Sequence, residues 1–126
     1  MAWGAGRAKA FGSKKTTMYG RTFDSKLETA LFEFLSARER VGEFRDLQHQ
    51  PGTVFLSDAR IQYRPDFRLV RCETGETEWA EAKGFETPEW RIKRKLWMAY
   101  GPGKLWIYNG SHKKLFLKEV LEPEQK

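Results

Sequence analysis

Tyr63-Arg64-Pro65-Asp66-Phe67 and Trp79-Ala80-Glu81-Ala82-Lys83 are the two runs on which the fold of this chain turns. Both have strand-like apolar residues, and both carry polar groups where a strand should be apolar. Side chains alternate along a strand, so Glu81 and Lys83 share one face while Ala80 and Ala82 take the other. Thr74-Gly75 marks a turn between the runs, and an even-length loop centred there pairs Asp66 with Lys83 and Arg68 with Glu81. That register predicts Asp66, Glu81 and Lys83 on one side of a hairpin, within reach of one another.

Two carboxylates converging from adjacent strands make a hard-oxygen site suited to Mg²⁺, with Mn²⁺ as a substitute, because such ions also accept water and phosphate oxygens. A metal held there polarises phosphorus and lowers the pKa of a bound water, while a neighbouring ammonium offsets charge in the transition state. The tripeptide acid-any-lysine is unspecific by itself: it also occurs at Asp24-Ser25-Lys26 and Glu124-Gln125-Lys126. Only the copy at Glu81 lies on a predicted strand, follows a Pro-Asp one hairpin earlier and leads into a basic helix.

Outward from this hairpin, short apolar runs at 43–50, 53–56, 61–70 and 78–83, separated by Pro51-Gly52, Ser57-Asp58 and Thr74-Gly75, predict an antiparallel meander. Before it, Ser25-Lys26-Leu27-Glu28 has the spacing of a capping box, and Leu27, Ala30, Leu31, Phe34 and Leu35 form one apolar helical stripe ending at Gly42. After it, Thr87-Pro88-Glu89 opens a second helix that stops at Gly101-Pro102-Gly103. Leu105-Trp106-Ile107-Tyr108 lacks polar alternation, as a strand covered on both faces does, and should lie parallel to 78–83 through a crossover. Asn109-Gly110 predicts a hairpin returning through 115–117. The expectation is an α/β domain with a central mixed sheet flanked by helices in the order α-β-β-β-α-β.

The chain has 126 residues, enough for one domain that hides roughly two-thirds of its unfolded surface. Residues 1–21, rich in Gly, Lys, Ser and Thr, are expected to be a flexible basic arm, with 22–126 as the single domain. Cys72 is the only cysteine, so neither an internal disulfide nor a cysteine zinc cluster is available. No run is apolar enough to cross a membrane and no secretory segment precedes the domain, which points to the cytoplasm. Nothing resembles a serine elbow, a phosphate loop or a dinucleotide fingerprint, so no nucleotide cofactor is expected.

The net charge of +6 is segregated. Residues 1–26 hold six basic groups against Asp24, and residues 83–114 hold eight against Glu86 and Glu89. A polyanion is the expected partner, since neutralising phosphates releases counterions. Candidate DNA contacts are Arg7, Lys9, Lys14, Lys15 and Arg21 in the arm and Arg91, Arg94 and Lys95 on the second helix, whose apolar side would be Ile92, Leu96 and Ala99. A solvated face of the same composition is the bland alternative. His49 and His112 are distant in sequence with no partner in view, so each reads as an ordinary surface or core histidine, and Trp90, Trp97 and Trp106 read as core.

Arg64-Pro65-Asp66-Phe67 followed by Glu81-Ala82-Lys83-Gly84-Phe85 resembles the PD-(D/E)xK nuclease superfamily, with its restriction-endonuclease-like core. Phe23-Asp24-Ser25-Lys26-Leu27-Glu28 and Leu47-Gln48-His49-Gln50-Pro51 are similar to small phage proteins near the Holliday junction resolvases. The resemblance spans about residues 19–108. It implies Asp66 and Glu81 as metal ligands, the Ala82 carbonyl as a further one, and Lys83 as the catalytic lysine. It also implies that Glu28 is the first-helix acid brought to the metal, a role that stands beside its role as partner of a Ser25 cap. Gln50 would lie near the site, although a polar residue before proline is common in loops. The implied activity is a Mg²⁺-dependent, structure-selective DNA endonuclease that resolves four-way junctions as a homodimer, acting on branched or double-stranded DNA. The alternatives are a mismatch, fork, flap or restriction-like nuclease, and a nucleic-acid-binding protein without catalysis in which Asp66–Lys83 is only a buried ion pair.

Overall fold

The computed structural model describes the backbone at residues 16–18 and 21–23 and the full chain from 25 to 124. Strands β1 (Thr16–Met18) and β2 (Arg21–Phe23) pair antiparallel beside the first helix. The stretch expected to be an arm up to residue 21 therefore contains β1 and the first residue of β2. Thr16, Thr17 and Thr22 are β-branched, a local strand preference that leaves no apolar period in the sequence.

Helix α1 (Lys26–Arg40) starts where its cap dictates: the Ser25 hydroxyl accepts from the Glu28 N–H at 3.1 Å. It ends at Gly42, whose φ of 88° is readily adopted only by glycine. Leu27, Leu31 and Leu35 are its buried apolar stripe, and Glu28 is buried with them.

Five strands form the central sheet: β3 (Phe44–His49), β6 (Phe67–Arg71), β7 (Thr77–Ala82), β8 (Leu105–Ser111) and β9 (Lys114–Leu121), side by side in that order. Strands β7 and β8 are parallel, joined by helix α2 (Pro88–Tyr100), and the other neighbours are antiparallel. The mixed sheet and the crossover helix match the expectation. Alternation divides the core into two layers. Phe67, Leu69, Ala80 and Tyr108 pack with Leu31 and Leu35 of α1, whereas Trp79, Leu105 and Ile107 pack with Trp90 and Trp97 of α2. No helix among the described residues is long and apolar enough to cross a membrane.

Four expectations are corrected. The run 61–70 is two strands: β5 (Ile61–Tyr63) pairs with β4 (Val54–Leu56) in a separate hairpin, and β3 pairs with β6. Pro65 separates them because it has no N–H for a ladder and biases Arg64 away from continuing one. The β6–β7 register pairs Phe67 with Ala80 and Arg68 with Trp79, two residues from the predicted pairing. Its loop closes early, with Arg71 N–H donating to Glu76 O and Gly75 at φ 75° as the last loop residue. A shift of two preserves facing, so Asp66 and Glu81 stay on one side. The β8–β9 turn falls at His112-Lys113, Gly110 lying within β8, and β9 runs on to Leu121. Finally, α2 buries Trp90 and Trp97 while Ile92 is 60% exposed, because two indoles seven residues apart carry more apolar area than one isoleucine.

Candidate active site

Four segments meet at one end of the sheet. Strand β6 begins at the residue after Asp66, β7 ends at Ala82 with Lys83 just beyond, the β4–β5 hairpin delivers Tyr63, and the first turn of α1 delivers Glu28. Asp66, Glu81 and Glu28 are each no more than 3% exposed. Pro65 fixes the approach to Asp66. Just across from it, Gln50, at φ 53°, ends β3 and donates its N–H to the Asp66 carbonyl at 2.6 Å. Gln50 thus lies beside the site through its backbone, and its residue is exposed.

The two strand acids are tied together. Glu81 Oε1 accepts from the Asp66 N–H at 3.1 Å and from the Tyr63 hydroxyl at 3.0 Å. Asp66 Oδ2 accepts from the Ala82 N–H at 2.9 Å. Lys83 places its Nζ 3.4 Å from Glu81 Oε2 and 5.0 Å from the centre of the Trp90 ring, with its side chain 15% exposed. The amine is therefore held over an aromatic face, where a cation is attracted, and keeps an opening to solvent. The structure brings together Asp66, Glu81 and Lys83, as their parity predicts.

Burial is the main force on the acids. It pushes the Asp66 carboxyl well above the usual range, and the charges of Glu28 and Glu81 add to the effect, against the Ala82 N–H and Lys83. Glu81 is also raised by burial, with Lys83 and the Tyr63 hydroxyl pulling the other way. Tyr63, buried and facing the charges of Glu81 and Asp66, has its phenol pushed far up, so it remains a hydrogen-bond donor.

Two neighbours of the acids escaped the sequence. Tyr63 holds Glu81 from across a loop; its place three residues before Asp66 was the only available hint. His49, expected to be an ordinary histidine, is a buried member of the cluster: its Nε2 lies 2.7 Å from Glu28 Oε2, and its side chain is 5% exposed. The ring sits against Phe67 and Phe32, at centroid distances of 5.3 and 6.5 Å. Twenty-one residues separate His49 from Glu28, and no spacing rule connects a strand end to a helix start.

The cationic stripe on α2 is only partly available. Arg94 is engaged by Glu119 through two hydrogen bonds, one of 2.9 Å from Nε, because β9 runs past it. Arg91 lies 3.6 Å from Glu86, which also takes Lys118 at 2.7 Å. Lys95 is exposed. Arg7, Lys9, Lys14 and Lys15 lie outside the described residues, as does the side chain of Arg21.

The donor set is chemically suited to a hard divalent cation: three buried carboxylates, with the Lys83 amine beside Glu81, offer the oxygen ligands that such an ion takes. Among the described residues, no group of three or more His, Cys, Asp or Glu side chains already stands in metal-binding geometry. One oxygen of Asp66 and one of Glu81 are occupied by N–H donors, so a metal would take the remaining oxygens, with the Ala82 carbonyl at the end of β7 and Glu28 as further candidates.

No curated protein matches the chain. Residues 8–114, which include all of these acids, Lys83, Tyr63 and His49, match the model of the family described as "Protein of unknown function (DUF1064)", and the chain belongs to that family.

Proposed function

We propose that this protein is a metal-dependent DNA endonuclease of the PD-(D/E)xK type, using Mg²⁺ or Mn²⁺ and cutting branched DNA, with the four-way junction as its preferred substrate. One observation carries the reading: Asp66 and Glu81 are buried on one face of adjacent strands, interlocked at 3.1 Å, with the Lys83 amine 3.4 Å from Glu81. Burying acids costs folding free energy that an apolar pair would not. Raised carboxyl pKa values from burial and like charge are typical of functional sites.

A bound divalent cation would supply the charge that holds a phosphate oxygen and acidifies a water. Asp66, Glu81, the Ala82 carbonyl and Glu28 are the groups that would hold it. Tyr63 keeps the Glu81 carboxylate oriented by donating to Oε1. Lys83 donates to the anionic oxygens that gain charge as the P–O bond breaks. On this reading, recognition rests on phosphate contacts and DNA shape. Lys95, Arg91 and the N-terminal basic residues are the contacts on this reading. A four-way junction needs two symmetric cuts, which a homodimer supplies.

The test is a substrate panel of four-way junction, flap, mismatch and plain duplex, each with Mg²⁺, Mn²⁺ and EDTA. Symmetric, chelator-sensitive cuts in the junction are expected. Cutting confined to another substrate would reassign the target, and binding without cutting in any metal would leave the rival reading, a nucleic-acid-binding protein whose Glu81–Lys83 pair is structural.

A further inference from the structure

We infer that His49 is a positioning residue for the site: it holds the Glu28 carboxylate so that this helix acid serves as a ligand of the divalent cation, an inference that rests on the metal-dependent reading above. The His49 Nε2 is 2.7 Å from Glu28 Oε2, and both side chains are almost fully buried. A buried carboxylate on the first turn of a helix has several rotamers, and one strong hydrogen bond selects among them. The ring that makes this bond is itself fixed. Strand pairing sets His49 opposite Phe67, the residue after Asp66, and its ring packs against the stacked Phe32–Phe67 pair, whose own centroids are 6.2 Å apart. The next residue, Gln50, donates its N–H to the Asp66 carbonyl. The end of β3 therefore anchors two acids at once, Asp66 through the main chain and Glu28 through the imidazole. Glu28 in turn acts electrostatically on both Asp66 and Glu81, so its placement is felt at the strand acids.

The chemistry assigns the proton. Glu28 as a ligand is ionised and can only accept, so His49 donates from Nε2. A hydrogen-bonded partner behind a ligating carboxylate typically changes metal affinity or activity by about 10–100-fold when removed. Two substitutions separate the hydrogen bond from the packing. His49→Phe keeps a ring against Phe32 and Phe67 and removes the donor, while His49→Gln keeps an N–H donor near the Nε2 position and removes the ring.

The experiment measures Mn²⁺ binding to the full chain, without DNA, by the loss of the free-ion paramagnetic resonance signal, together with thermal melting in EDTA. His49→Phe is expected to melt near the wild type and bind Mn²⁺ at least about 10-fold more weakly, and His49→Gln to bind within about threefold of wild type even if it melts lower. The reverse order, with His49→Phe binding normally and His49→Gln impaired, would mean that the ring matters only for packing and would overturn the inference. If both bind as the wild type does, the inference also fails, while the metal-dependent reading stands. If the wild type binds no Mn²⁺, the metal-dependent reading fails and the inference goes with it.

Discussion

Replacing Asp66 with asparagine should make the metal-free protein more stable. The asparagine carbonyl can still accept the Ala82 N–H, and the two bonds at residue 66 that use the main chain, from its N–H to Glu81 and from Gln50 to its carbonyl, are untouched. What disappears is one buried negative charge, disfavoured first by desolvation and then by repulsion from Glu28 and Glu81, with Lys83 attracting it. Two repulsions less one attraction leave roughly one like-charge contact, about 2 kcal/mol for charges about 8 Å apart at an effective dielectric of about 20. The neutral acceptor is weaker than a carboxylate, which offsets part of this and leaves a gain of about 1–2 kcal/mol. In a domain of this size that is a rise in Tm of about 4–8 °C. The gain depends on pH in a defined sense. Because the folded-state pKa of Asp66 is raised, the carboxyl is protonated in both states below about pH 4, and the variant then has no advantage over the wild type. As pH increases the unfolded chain ionises first, the wild type loses stability until the folded carboxyl has ionised, and the asparagine variant does not. Melting curves in EDTA from pH 4 to pH 8 measure the difference. A variant that melts at or below the wild type at pH 8, or whose advantage is independent of pH, would refute the picture of an acid destabilised by burial and like charge.

Three further outcomes follow from the same geometry. Lys83→Ala and Glu81→Gln should each reduce junction cleavage by about 10²–10³-fold while junction affinity stays within a few-fold by fluorescence anisotropy; parallel loss of both would assign these residues to folding. Tyr63→Phe removes a hydroxyl that donates to a buried carboxylate and should cost about 1.5–3 kcal/mol in urea unfolding, so an unchanged midpoint would show that the bond contributes nothing. Deleting residues 1–15 removes Arg7, Lys9, Lys14 and Lys15 and should flatten the slope of log affinity against log salt by up to about 3–4; an identical slope would mean that these charges do not meet phosphate.

The parts of the fold that were legible are those governed by local chemistry or by parity. Ser25 and Thr87 cap their helices as their hydroxyls predict, and the β7–α2–β8 crossover follows from a basic helix between two apolar runs. The facing of Asp66 and Glu81 survived an error of two residues in register because side-chain facing repeats every two. Strand order was not legible. Whether β3 pairs with β4 or with β6 is decided by long-range packing, and only the missing N–H of Pro65 hinted at the break. The stripe on α2 was misjudged for a related reason. Its charge pattern is local, but its partner Glu119 comes from a strand twenty-five residues away, and a helical period says nothing about what lies opposite.

Glu28 shows most clearly how one residue can satisfy two readings that looked like rivals in the sequence. A capping box and a helix-borne metal ligand both ask for an acid three residues after Ser25, and the pattern has no means of choosing between them. The structure separates the two by atom. The backbone N–H of Glu28 is used by the Ser25 hydroxyl, and its carboxylate meets His49 in the interior. A carboxylate needed only for capping would remain at the solvated helix start, where it also complements the helix dipole. Carrying it into the core beside two more acids costs desolvation that the cap does not require. The single substitutions Ser25→Ala and Glu28→Gln can therefore be read apart: Ser25→Ala should lower stability by about 1 kcal/mol and leave Mn²⁺ affinity unchanged, whereas Glu28→Gln should weaken Mn²⁺ binding with the cap bond intact. If the two effects prove inseparable, with the cap variant losing metal to the same degree, Glu28 is a structural acid only and the site has two carboxylate ligands from the strands.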